Sequence, residues 1–120
     1  MSETEALDTH LQELRRGTVV VASLTVLRTP GYGYSLLEML SEAGFEVEAN
    51  TLYPLLRRLE AQGLLTSAWN TDEARPRKFY TTTEQGDAVA NALRTEWARL
   101  DDAIGDLDSP SVTATPGSDK

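Results

Sequence analysis

The stretch from Asn50 to Tyr80, NTLYPLLRRLEAQGLLTSAWNTDEARPRKFY, leaves the chain few options for folding. Leu52, Leu55, Leu56 and Leu59 recur at the three- and four-residue steps of one helix face. Gly63 stands where that helix must stop. Leu65, Ser67 and Trp69 then alternate as one face of a strand from Leu64 to Asn70, and residues 71–76 are rich in turn formers. Arg77 to Thr82, with Phe79, Tyr80 and a run of threonines, reads as the returning strand. A helix followed at once by a hairpin is therefore the expectation for this segment.

The flanks add helices. Leu7, Leu11, Leu14, Thr18, Val21, Leu24 and Leu27 step by three and four, which predicts a first helix from Leu7, preceded by a loose segment, 1–6. The β-branched run Val19-Val20-Val21 also suits a strand, but helical spacing continues on both sides of it. Gly17 is expected to weaken or kink this helix, and Thr29-Pro30-Gly31 to end it. Tyr32-Gly33-Tyr34 opens a second helix over Ser35 to Ala43, with Leu36, Leu37, Met39 and Leu40 at helical spacing and Gly44 as its C-terminal cap. Phe45 to Ala49 is a linker. Asn50 or Thr51 is the expected N-cap of the third helix, which places Pro54 in its first turn, where the missing N–H costs nothing.

Thr83 is the natural N-cap of a last helix over 84–107, with Glu84 suited to its dipole. Val89, Leu93, Trp97, Leu100, Ile104 and Leu107 form a heptad-like seam along it, too long for so small a globule and suited to a partner helix. From 108 to 120 the composition turns to Ser, Pro, Thr, Gly and Asp, the signature of a disordered tail. The predicted fold is mainly α with a small β-hairpin: a winged helix-turn-helix over 7–83, then a long C-terminal dimerisation helix over 84–107.

Charge sharpens the functional reading. The chain carries −8 overall, yet Asn50–Tyr80 holds five of its 11 basic residues and only three of its 19 acidic ones. Nucleic-acid contact must then be local and oriented, because the rest of the surface repels a duplex. No cysteine is present, which excludes disulfides, thiolate metal sites and cysteine catalysis. MSETEALDTH lacks the basic and apolar regions of a signal peptide, and no apolar run reaches membrane-spanning length, so a cytoplasmic protein is expected. His10 is the lone histidine, and no Ser-His-Asp arrangement, phosphate loop or HExxH pattern occurs. No enzymatic activity, metal or cofactor is expected.

With the leucines of the third helix inward, Thr51, Tyr53, Pro54, Arg57 and Arg58 lie toward solvent. There hydroxyls and guanidinium forks can meet phosphate or base edges in a major groove. Arg75, Arg77 and Lys78 cluster at and beyond the hairpin tip, suited to backbone or an adjacent minor groove. Their alternative role is a charged edge that blocks strand-to-strand aggregation. Tyr34 and Asn50, at the starts of the second and third helices, complete the expected DNA-facing set. Trp97, flanked on the seam by Leu93 and Leu100, reads either as a dimer-core aromatic or as a platform for a flat apolar ligand. Trp69 and Tyr80 read as packing residues of the hairpin.

These residues resemble the PadR family of bacterial winged-helix transcriptional regulators. The matching pieces are Tyr32-Gly33-Tyr34, the run Thr51-Leu52-Tyr53-Pro54-Leu55-Leu56-Arg57-Arg58-Leu59-Glu60, Gly63-Leu64-Leu65, Arg77-Lys78-Phe79-Tyr80 and Thr83-Glu84-Gln85-Gly86. The resemblance covers residues 11 to 105 or thereabouts and fits the compact subfamily with a single C-terminal helix. It implies a homodimer joined through its first and last helices, bound to double-stranded operator DNA. It also implies a repressor released by a small aromatic or hydrophobic effector, with Trp97 in the region that lines an effector pore in some relatives. The wing departs from the family's frequent paired glycines: Asp72-Glu73-Ala74-Arg75-Pro76 implies a stiffer, partly acidic tip. The alternative function is a ligand-sensing or protein-interaction module in which DNA binding is secondary or lost.

Overall fold

In the computed structural model, which describes residues 2–72 and 74–108, the first helix, α1, runs from Glu3 to Val26. It begins ahead of the expected Leu7 because Ser2 and Glu5 form a capping box. Ser2 Oγ accepts from the Glu5 N–H at 3.1 Å, and Glu5 Oε1 accepts from the Ser2 N–H at 2.9 Å. Two otherwise orphaned donors are thereby satisfied, which stabilises the first turn by about 1 kcal/mol. Residues 3–6 are thus helical, not loose. The helix passes unbroken through Gly17 and the valine run, since burial of Val19 and Leu24 outweighs the weak helix propensity of β-branched residues.

After α1 the chain makes a strand the sequence did not reveal: β1, Gly31–Tyr32. It leads directly into α2, Gly33–Glu42, and α3, Ala49–Ala61. The hairpin consists of β2, Leu65–Asn70, and β3, Arg77–Thr82; α4 spans Glu84–Asp108. The sheet is antiparallel with order β1-β3-β2, its register set by Tyr32↔Phe79 and Trp69↔Lys78. The expected single hairpin is thus a three-stranded sheet, with β3 in the centre.

Both α2 and α3 end in Schellman motifs. Phe45 N–H bonds Leu40 C=O at 2.8 Å after Gly44, and Leu64 N–H bonds Leu59 C=O at 2.9 Å after Gly63. Gly44 and Gly63 have φ of 100° and 79°, a left-handed conformation that disfavours any Cβ. The start of α3 differs from expectation. Its N-cap is Glu48, with no side-chain cap bond, and the Thr51 and Leu52 N–H groups close on the Glu48 carbonyl. Asn50 and Thr51 therefore lie inside the first turn with exposed side chains. Pro54 is interior, where it forfeits a backbone bond to Asn50 C=O. Thr83 caps α4 as expected, its Oγ1 accepting from Gly86 N–H at 3.0 Å.

The core gathers leucines from α1, α2 and α3: Leu24, Leu36, Leu40, Leu52, Leu56 and Leu59 are all at most 2% exposed. Each contributes about 2 kcal/mol of burial. Two hydrogen bonds lock the far end of β3 to α1: Thr82 N–H to Leu27 C=O and Thr82 Oγ1 to Leu24 C=O, each at 2.7 Å. The chain forms two compact units that meet in sequence within α4, after Ala90. Ala90 is fully buried, so the first two turns of α4 belong to the winged unit. The expected disordered tail lies, apart from Asp108, outside the described residues, as does Glu73 of the acidic hairpin tip.

Candidate nucleic-acid interface

The leucines of α3 fix what the helix shows outward. At 3.6 residues per turn the face opposite the core carries Asn50, Pro54 and Arg57. Thr51 and Arg58 stand on one flank, Tyr53 and Glu60 on the other. Asn50, Thr51, Pro54, Arg57 and Arg58 are exposed. Arg58 lies in the last turn, where its charge suits the helix dipole.

The other flank faces the sheet. Glu60 accepts from Ser67 Oγ at 2.6 Å through Oε2, and its Oε1 lies 3.5 Å from Lys78 Nζ. One acidic side chain on α3 thus ties both hairpin strands to the helix. Tyr53 is half-buried because its ring crosses α2 at Gly33, where a Cβ would stand 2.4 Å from the ring. Tyr53 is therefore also a spacer between the two helices.

Arg77 and Lys78 sit at the turn end of the hairpin, opposite Asn70 and Trp69, and each is engaged within the chain. Arg77 Nη1 donates to Tyr34 Oη at 2.7 Å, with its guanidinium carbon 5.0 Å from the Tyr34 ring centre and 5.5 Å from that of Tyr32. The two tyrosine rings stack at 6.1 Å, and Asn70 Nδ2 donates to Tyr32 Oη at 2.6 Å. Lys78 Nζ also lies 5.5 Å from the Tyr80 ring. These contacts preorganise the cations at the cost of part of their reach. Arg75 is exposed nearer the tip, and the turn is closed by Asp72 N–H donating to Asn70 Oδ1 at 3.0 Å.

Tyr80 is buried as expected, but Trp69 is 62% exposed and does not pack in the core. Strand alternation puts it on the face of Leu65 and Ser67, yet it lies beyond the part of that face which the core covers. Sequence reasoning also missed Glu60, Ser67, Tyr32 and Asn70 as the residues that set the hairpin. On α4, Leu93, Trp97 and Leu100 are exposed along one stripe, which Ile104 and Leu107 continue. Among the described residues no helix is long and apolar enough to cross a membrane.

A helix-turn-helix pair followed by a small antiparallel sheet, with cations on the third helix and at the hairpin, defines a winged-helix protein. The model of the Transcriptional regulator PadR-like family matches residues 23–92, and the chain belongs to that family. A PadR family transcriptional regulator from Eggerthella lenta is 45% identical in sequence and superposes with a TM-score of 0.83, over 88% of this chain and 95% of that one. A PadR-like transcription factor from Bacteroides fragilis is 29% identical, with a TM-score of 0.69 over 82% and 98%. The transcriptional regulator Rv3488 of Mycobacterium tuberculosis is 44% identical over 58 residues, 48% of this chain and 54% of that protein, so the match spans about half of that relative.

Proposed function

We propose that the chain is a dimeric DNA-binding repressor that acts in the cytoplasm and is released by a small aromatic or hydrophobic effector. The observation that carries the DNA reading is the exposed Arg57 and Arg58 on a helix whose neighbour, the hairpin, is held to it by Glu60. In this reading α3 enters the major groove, with Asn50, Thr51, Tyr53 and Pro54 near its N-terminal end and Arg57 and Arg58 on phosphate or guanine. Tyr34, Arg75, Arg77 and Lys78 serve the backbone or minor groove beside it. A two-fold dimer presents two such helices to a palindromic site, one DNA turn apart.

The exposed apolar stripe of α4 supports self-association, because a run of five large apolar side chains in water is unusual for a chain that works alone. Trp97, with Leu93 and Leu100, would line the effector site at the two-fold axis. The test is binding to a duplex from upstream of the chain's own gene. Replacing Arg57 and Arg58 together by Ala is expected to weaken binding at least tenfold and to lower the slope of log K against log salt by about two. Unchanged affinity and slope in that variant would remove α3 from the interface.

A further inference from the structure

Trp69 is exposed where its strand neighbour Leu65 is buried, and the contacts described so far give it no role. It pairs across the sheet with Lys78, so both side chains leave the same face. With Tyr34, Tyr53, Pro76 and Arg77 it lines an open cleft of about 220 Å³ between the hairpin, the start of α2 and Tyr53 of α3. The cleft combines an apolar ring floor with two cations at its edge, in a chain whose remaining surface is strongly acidic.

We propose that this cleft receives one sugar–phosphate unit of duplex DNA, the deoxyribose lying flat on the Trp69 indole and the phosphate turned toward Arg77 and Lys78. The inference rests on the DNA-binding reading above and adds a contact that carries no charge. The chemistry favours this occupant over a nucleobase, because bases in an intact duplex are stacked inside while the backbone alternates apolar sugar faces with phosphates. The Trp69 ring and Lys78, side by side on paired strand positions, match that alternation, and Arg77 lines the same cleft. Lys78 lies 3.5 Å from Glu60, whose negative charge offsets part of the attraction the ammonium exerts on a phosphate. The sugar contact is therefore a substantial part of what the cleft supplies.

The test uses the full chain, a labelled duplex from upstream of its own gene, and fluorescence anisotropy across a salt series. W69A is expected to weaken binding about fivefold or more at every salt concentration with the slope unchanged, because an aromatic contact and no charge is lost. W69F, which keeps a ring, is expected to restore most of the affinity. Equal affinity of W69A and the unsubstituted chain would overturn the inference. So would a slope lowered by one, which would assign Trp69 to positioning Lys78, or a loss of self-association in sedimentation, which would assign it to a second copy. Those outcomes leave the DNA reading standing. Failure of the unsubstituted chain to bind any duplex at low salt would instead overturn that reading, and this inference with it. Thermal unfolding checks the fold of W69A, whose lost ring lies outside the core.

Discussion

Glu60 reaches Lys78 across the gap between α3 and β3, Oε1 to Nζ at 3.5 Å, while its second oxygen is held by Ser67 at 2.6 Å. Each partner of the ion pair is 34% exposed, so water screens the attraction and the pair stabilises the fold by under about 1 kcal/mol. Its larger consequence is geometric, since it fixes the hairpin against the helix proposed to enter the groove. Two effects then compete in E60A. Removing a negative charge near phosphate favours DNA binding; freeing the hairpin disfavours it. The charge effect is screened at physiological salt. We expect positioning to win: E60A binds a duplex severalfold more weakly in anisotropy titrations, and E60Q, which can still accept from Ser67, falls between. Tighter binding by E60A would reverse that ranking.

Gly33 and Tyr53 form a second coupled pair. A Cβ at Gly33 would stand 2.4 Å from the Tyr53 ring, so the ring must leave its seat between α2 and α3. G33A is expected to cost about 1–3 kcal/mol in denaturant unfolding. Without the ring, the same change places alanine at the first position of a helix, where it is favourable. In a Y53A background G33A should therefore be neutral or slightly stabilising. An equal cost in both backgrounds would show that the two residues are not coupled.

Gly17 behaves in the opposite way. It lies inside α1, and a Cβ there meets nothing within 4 Å. G17A is expected to stabilise the chain by about 0.5–1 kcal/mol, because alanine has less backbone freedom to lose on folding. The thermal midpoint should rise by a few degrees. A lower midpoint would mean that this face of α1 is covered in the assembled protein.

The helices and the hairpin are legible because periodicity is a local property. Leu52 to Leu59 and Arg77 to Thr82 declare their element within a few residues. The failures have separate physical causes. β1 is two residues long, too short to alternate, and exists only because Gly31 and Tyr32 find Tyr80 and Phe79 across the sheet. The early start of α1 is written in Ser2-x-x-Glu5, a capping box, but polar composition suggested a loose end. The start of α3 carries no side-chain cap and so no signal at that position. Trp69 is on the predicted face of β2, but no pattern within the strand tells how far the core extends beneath it. The bonds from Glu60 to Ser67 and from Arg77 to Tyr34 join residues 7 and 43 positions apart, and only the folded chain brings them together.

The stripe on α4 yields the prediction that bears most directly on assembly. Trp97, Ile104 and Leu107 are 60%, 65% and 75% exposed, on a seam spaced like that of paired helices. If the stripe meets its own copy about a two-fold axis, each substitution enters the interface twice and a buried carboxylate faces its twin. I104E is then expected to reduce self-association more than tenfold in sedimentation at micromolar concentration. Asp102, also exposed but on the opposite side of the same helix, provides the control, and D102A should leave assembly unchanged. Because Ile104 is exposed in the single chain, its replacement removes no core contact, and helicity by circular dichroism should survive. The thermal midpoint of the unsubstituted protein should rise with protein concentration, and that dependence should vanish in I104E. Self-association by I104E at the level of the unsubstituted chain would place the dimer contact elsewhere, and Trp97 would lose its position at a two-fold axis.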